Sequence, residues 1–372
     1  METAPSVQKG RLIVYRTFDA CDSVELHDAE LLLLQEHPNR VSMQFLEAPR
    51  RELGALRFAA APLHVALGER EIDYGDGPVK ADASVRIFDY GTFAVSYGIP
   101  VDPSTSFEQL VPLVARATES ASINAAAIAE CEKLQDKIRS VLRGQHEVGD
   151  IQRYAVLFVE QLGGGHSAST VLEWPGLPKL ATCELDDRAV SAQQREDVLR
   201  CADAYLDDDL VVVGSKCSIV VEPSRRFDVV QIIELVMAQL AQLRLYDSEL
   251  DRELAELYRR EERSALSMAL RSPYGRVLRS LSRRLIELTE FNERIDNTPK
   301  VVTDAYLTRV YQKAVERFAI PVLKARVADK HKLLLDLYTM LKDEVQMLRG
   351  LILEVLIVVL IVSEVVLALT GH

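Results

Sequence analysis

The sequence predicts an α+β protein: an antiparallel-rich sheet domain with a β-β-α pseudo-repeat, followed by a long helical hairpin and one C-terminal transmembrane helix. Three observations predict it. Short β-forming runs separated by turn residues fill the first 225 residues, and one strand-to-helix corner occurs there twice. From Phe227 onward the composition turns to near-continuous helix, with apolar residues at mixed spacings of 3, 4 and 7. Residues 351–369, LILEVLIVVLIVSEVVLAL, contain only Glu354, Ser363 and Glu364 as polar positions. The expected domains are therefore 1–225 for the α+β body, 226–350 for a helical hairpin or coiled-coil stem, and 351–369 for the span.

Composition bounds the rest. A chain of 372 residues, 48% hydrophobic and 27% charged, is long enough for two folded domains and is not of disordered composition. A net charge of -12 argues against bulk attraction to nucleic acid or to an anionic membrane surface, so direct nucleic-acid binding is not expected. Cys21, Cys131, Cys183, Cys201 and Cys217 form no CxxC pair, which suits a reducing compartment and no structural metal. The first ten residues, METAPSVQKG, show neither a signal peptide nor a transit peptide, so the N-terminal bulk is expected to stay in the cytoplasm.

Taken in order, residues 12–18 (LIVYRTF) form a β-rich run, and residues 26–36 a helix closed by Pro38. Residues 62–67 read as a strand. Residues 84–88 and 92–97 flank Asp89-Tyr90-Gly91 and predict a hairpin. A helix is expected over 107–119, with Thr105 and Glu108 as a capping box. A surface helix follows over 123–142, then a strand over 151–162 that ends in Gly163-Gly164-Gly165, read as a hairpin loop with His166 beside it. Residues 180–185 read as a further strand and residues 193–204 as a helix. Residues 101–108 (VDPSTSFE) recur as residues 221–228 (VEPSRRFD), each after a strand pair and before a helix. In both copies the proline ends a strand and the phenylalanine can pack the coming helix on the sheet, so these residues read as structure.

In the helical half, Ser272-Pro273 breaks the first long helix, a second runs over 274–295, and Asp296 to Pro299 makes a turn. The last helix starts near Val302, tolerates or bends at Pro321, and continues into the apolar run. Its stem carries a heptad seam. Val327, Leu334, Leu341, Leu348, Val355 and Val362 fall at a, and Leu337, Leu351, Val358 and Val365 at d, interrupted by Lys330 and Glu344. The seam can pack on the chain's own helix after Phe227, or on other copies in a homo-oligomer whose register Lys330 or Glu344 helps to set. Arg271, Arg276, Arg279, Arg283 and Arg284 form the concentrated basic run of this acidic chain. A solvated helix face, a contact with RNA or a protein partner, and a headgroup contact all remain open for it.

At about 1.5 Å per residue the final nineteen residues cover roughly 28 Å, close to the ~30 Å hydrocarbon core of a bilayer. Lys342 and Arg349 precede them, in agreement with the positive-inside rule, and the expected topology is tail-anchored. A carboxylate at mid-bilayer costs about 2.5 to 3.5 kcal/mol. Glu354 and Glu364 lie roughly 80° apart around the helix, on one side. They can reach for headgroup depth, face a partner helix, or line an ion- or proton-handling ring.

The segment Ile87-Phe88-Asp89-Tyr90-Gly91-Thr92-Phe93-Ala94-Val95-Ser96-Tyr97-Gly98 resembles the signature hairpin of the "required for meiotic nuclear division" family. Residues 353–365, with Glu354 and Glu364, resemble that family's C-terminal span, although Val355 stands where the family usually has an aromatic residue. The order of elements also matches from roughly residue 12 to 369. The resemblance implies a membrane protein. Eukaryotic relatives reside in the mitochondrial inner membrane or endomembranes, and the animal one is thought to form a large homo-oligomer that supports mitochondrial translation. The family has no established catalytic residues. With no transit peptide visible, this copy is expected in a bacterial inner membrane. The sequence shows no catalytic triad, metal cluster or nucleotide loop, so neither enzymatic activity nor a cofactor is expected. The expected function is a membrane-anchored homo-oligomeric scaffold that supports translation or tethers ribosomes or other partners, with an ion- or proton-conducting oligomer as the alternative.

Overall fold

A computed structural model describes residues 4–36, 41–42, 61–75, 77–149, 151–186, 188–261, 289 and 304–370. The chain forms two compact units, one of Met1–Gln242 with Ile295–Pro321 and one of Leu243–Arg294 with Val322–His372. The division at Gln242/Leu243 falls inside a long helix.

The first unit is organised on β1 (Ser6–Asp19), in which Leu12 to Phe18 are all buried. An uninterrupted buried run means that both faces of the strand are covered. β1 pairs antiparallel with β6 (Thr92–Pro100) on one side and β9 (Gln152–Leu162) on the other. Beyond β6 lie β5 (Pro78–Ile87), β4 (Leu63–Asp73) and the short β3 (Val41–Ser42). Beyond β9 lie β12 (Cys217–Val221), β11 (Leu210–Val212) and β10 (Ala202–Asp203). β7 (Thr105–Ser106) closes on the start of β1. A second, small sheet joins β2 (Cys21–Val24) to β8 (Leu142–Gln145). Among the described residues, pairing is antiparallel except between β9 and β12, which run parallel.

On one sheet face, Leu12, Val14 and Phe18 pack in a core with residues of α1 (Leu26–Glu36), α2 (Phe107–Glu119) and α3 (Ala121–Lys137). Arg16 points to the same side, and its guanidinium donates to the carbonyls of Ala117 and Thr118 at 3.0 and 2.9 Å. The other face is covered by the first half of α7 (Asp228–Glu261) and by α8 (Ala305–Arg317). Phe158 stacks on Phe227, Tyr154 meets Phe318 edge-on, and Thr92 donates to Gln242. The unit is therefore a three-layer α/β/α body in which most of the sheet is dry.

The β-β-α pseudo-repeat is present. Hairpins β5–β6 and β11–β12 each lead through the repeated corner into a helix, α2 and α7. In both corners a backbone N–H closes on the carbonyl three residues earlier, Thr105 on Asp102 and Arg225 on Glu222. The copies differ in one respect. β6 lies antiparallel to its central neighbour and β12 parallel to its own, so the second hairpin is turned over.

Several local expectations need correction. The cap of α2 is Ser106 with Gln109, whose side chains and backbone N–H groups bond reciprocally. Thr105 instead donates to Asp102 O. Residues 163–165 are not a hairpin loop, because Ser167 caps the short helix α4 (Ala168–Glu173) directly after them. Residues 180–185 do not form a strand. They overlap α5 (Leu177–Thr182), which has proline at its start and a left-handed cap at Cys183. Pro321 does not bend a continuous helix: α8 ends at Arg317 with Phe318 as its C-cap, Ala319 adopts φ 51, and α9 (Ile320–Thr370) begins anew. The helix over 193–204 is shorter, α6 (Ala192–Arg200).

In the second unit, α9 contributes buried Leu323, Val327 and Leu334, and the latter half of α7 contributes buried Leu250 and Leu254. Arg326 pairs with Asp247 at 2.7 Å. The expected helix over 274–295 and the turn at 296–299 lie outside the described residues.

Candidate functional site

α9 is 51 residues long, about 77 Å at 1.5 Å per residue. Its length follows from its sequence: after Pro321 no proline occurs, and Gly350 stands alone with open space where a Cβ would be. Along it the environment changes in steps. Near its start the a positions Val327 and Leu334 are fully buried. Lys330, read from the sequence as an interruption of the seam, pairs with Asp247 and Asp251 of α7, each at 2.7 Å. At this level the chain's own helix supplies the partner of the seam. Farther on, Met340 and Met347 are exposed, and Glu344 lies within the same helix.

From Leu351 to Val366 the helix is apolar and open all round. Val355, Leu356, Ile357, Val358, Val359, Leu360, Ile361 and Val362 are each about half or more exposed. At ~100° per residue, eight consecutive positions leave no azimuth without an apolar side chain. Glu354 and Glu364 are exposed on the same stretch, and the Ser363 hydroxyl donates to Leu360 O at 2.7 Å, so it presents no unsatisfied donor. Among the described residues, one helix, Asp228–Ala255, is long and apolar enough by length and composition to cross a bilayer, and 72% of its apolar window is buried inside the protein. Its residues cover the sheet and the stem. The basic run Arg271, Arg276, Arg279, Arg283 and Arg284 lies outside the described residues.

Two buried polar arrangements escaped the sequence reading. Beneath α7, Arg86 of β5 donates to Glu234 at 2.8 Å, with both side chains 7% exposed. Burial raises the Glu234 carboxyl above its ordinary range even though Arg86 opposes it. At the end of the sheet, the Asp89-Tyr90-Gly91 turn docks on the corner between β1 and β2. Gly91 has φ 85, and a Cβ there would lie 1.6 Å from Cys21 O, so only glycine fits. Val24 N–H donates to Asp89 O and Ala20 N–H to Gly91 O. In the same corner the ring of His146 sits between two carboxylates, Nδ1 against Asp19 and Nε2 against Asp22 Oδ1 at 2.9 Å. Hydrogen bonds to Asp19 and Asp22 push the imidazole up to about 10, so it is an imidazolium at neutral pH.

Chemically this corner is a clamp. Both ring nitrogens donate, so no lone pair is free to take a proton, and burial pushes the neighbouring Cys21 thiol up to about 12, which leaves it un-ionised. Among the described residues, no group of three or more His, Cys, Asp and Glu side chains has the arrangement of a metal site.

Comparison with known proteins adds a family. A family model described as the N-terminal domain of uncharacterized protein MJ0711 matches residues 9–228, from β1 to the start of α7. Uncharacterized protein MJ0711 of Methanocaldococcus jannaschii is 26% identical over 174 residues, which cover 46% of this chain and 53% of that protein. The match thus spans about half of each. No solved structure matches the chain.

Proposed function

This chain belongs to the family of the MJ0711 N-terminal domain, and from that premise we propose that it is a non-enzymatic, membrane-anchored, homo-oligomeric scaffold. The observation that carries the proposal is the last part of α9, where apolar side chains face outward in every direction on a helix long enough to cross a bilayer. A surface helix in water keeps a broad polar face, whereas here only Glu354, Ser363 and Glu364 interrupt the apolar surface between Leu351 and Val366. Lipid is the environment that satisfies it. Helical backbone bonds are internal, and the serine bonds to its own helix, as a span requires.

The three-layer unit remains on the side of Lys342 and Arg349, the cytoplasmic face of a bacterial inner membrane. Oligomer contacts fall to the stem beyond Leu334, since Lys330 is engaged within the chain. Partners such as ribosomes, and a role in translation, rest on the resemblance to the meiotic nuclear division family alone. The test is purification in mild detergent with native mass measurement and identification of what co-purifies. A defined oligomer supports the scaffold; a monomer without partners refutes it.

A second reading is favoured by Glu354 and Glu364, which lie exposed on one side of the span. In an oligomer they would line an ion- or proton-conducting path. Conductance in liposomes that vanishes in Glu364→Gln supports that reading, and flux unchanged by the substitution refutes it.

A further inference from the structure

Between β10 and β11 the chain reads Asp203-Ala204-Tyr205-Leu206-Asp207-Asp208-Asp209. Burial of apolar area would turn the tyrosine and leucine inward and leave every acid in water. The structure does the reverse. Asp209 is the residue turned in, 5% exposed, and its carboxylate accepts the backbone N–H groups of Tyr205 at 2.7 Å and Leu206 at 3.1 Å. Tyr205 and Leu206 stand out at 60% and 46% exposure. The Tyr205 ring leans on that of Tyr306 in α8, with centroids 5.6 Å apart. Tyr306 is braced in turn by Arg309, whose guanidinium lies 5.7 Å from the Tyr306 centroid and is paired with Asp203.

A loop held this way has little freedom left to lose when something docks on it, and tyrosine is among the residues that dominate binding interfaces. The charge beside the two apolar side chains selects the partner. Asp207 and Asp208 are exposed and form no hydrogen bond or ion pair among the described residues. On their own they would be solvated surface. Next to an open aromatic ring they add to the attraction that the ring face exerts on a cation. The same carboxylates repel a phosphate backbone and an anionic headgroup layer, which sets nucleic acid and lipid aside. Leu206 asks for an apolar neighbour to that cation. An arginine or lysine flanked by an apolar side chain meets both requirements.

We propose that the β10–β11 loop docks a cationic, partly apolar segment of a partner protein, with the cation over Tyr205 and between Asp207 and Asp208, and the apolar side chain on Leu206. The probe is a fluorescein-labelled peptide of alternating arginine and leucine, followed by anisotropy against the full-length chain in nonionic detergent, with protein-free micelles as the blank. Saturable binding is expected, at least tenfold tighter than that of a glutamate–leucine peptide, which reverses the charge, and of an arginine–glycine peptide, which lacks the apolar side chains. Tyr205→Ala with Leu206→Ala should weaken it at least tenfold, and Tyr205→Phe should retain it. Asp207→Asn with Asp208→Asn should weaken it at least fivefold. Glu132→Gln with Glu147→Gln, the same charge change at two other exposed acids, should leave it unchanged. Absence of saturable binding, equal affinity for either control peptide, full affinity in the Tyr205 and Leu206 alanine variant, or equal weakening by the two acid pairs overturns the proposal. The native mass of that alanine variant should equal the parent's; a smaller assembly would assign the loop to contacts between copies and overturn the proposal too. None of these results depends on whether α9 enters a membrane.

Discussion

Removing the carboxylate of Glu234 leaves the Arg86 guanidinium charged beneath α7. Both side chains are 7% exposed, their contact is 2.8 Å, and they join positions 148 residues apart, so no local rearrangement returns the arginine to water. Breaking one member of such a pair costs about 3–5 kcal/mol, whereas replacing both by apolar groups of similar volume is near neutral or stabilising. Glu234→Ala should therefore consume a large part of the ~5–15 kcal/mol that holds a typical domain folded. Arg86→Met with Glu234→Leu should recover it to within about 1 kcal/mol of the parent. The assay is urea unfolding followed by fluorescence of Trp174, the single tryptophan, which is buried and meets Phe107 edge-on in the same unit. A loss below 1 kcal/mol in Glu234→Ala, or a double variant as unstable as the single one, would refute the reasoning.

Three further perturbations test the same body. His146 has a folded pKa of about 10 against an ordinary 6.5, so its contribution is complete below about pH 6.5 and is lost as pH rises through 10. His146→Gln should remove roughly 2 kcal/mol at pH 6 and flatten the stability profile between those values, which a pH series of unfolding midpoints reads. Gly91→Ala should cost more than the ~1–3 kcal/mol of its left-handed φ alone, because the added carbon meets Cys21 O, and thermal unfolding measures the loss. Arg16→Met strands the Ala117 and Thr118 carbonyls in the core, each worth about 1–3 kcal/mol, and should lower the urea midpoint accordingly.

Legibility in the sequence followed the range of the forces. The hairpin around Asp89-Tyr90-Gly91 and the helices at 26–36 and 107–119 could be read because turn residues, prolines and hydroxyl caps act within a few positions. Residues 180–185 misled because a short apolar run suits helix and strand alike, although Pro178 carried the helical signal. The parallel pairing of β9 with β12 had no local mark. Nor did the clamp, since Asp19 and His146 are 127 residues apart. Arg16 and Arg86 did leave a trace, as charges inside otherwise β-forming runs, and both turn out to hold a helix to the sheet. In the stem, the heptad spacing showed that α9 has a seam, while the identity of its partner near Lys330 depended on Asp247 and Asp251, some eighty residues earlier.

Membrane anchorage by the end of α9 is tested most directly by comparing the full chain with a form ending at Gly350, expressed in bacteria and fractionated with an alkaline carbonate wash. The full chain should stay with the lipid pellet and the shortened form should move to the supernatant. Release of the full chain by carbonate, or retention of the shortened form, would contradict the account.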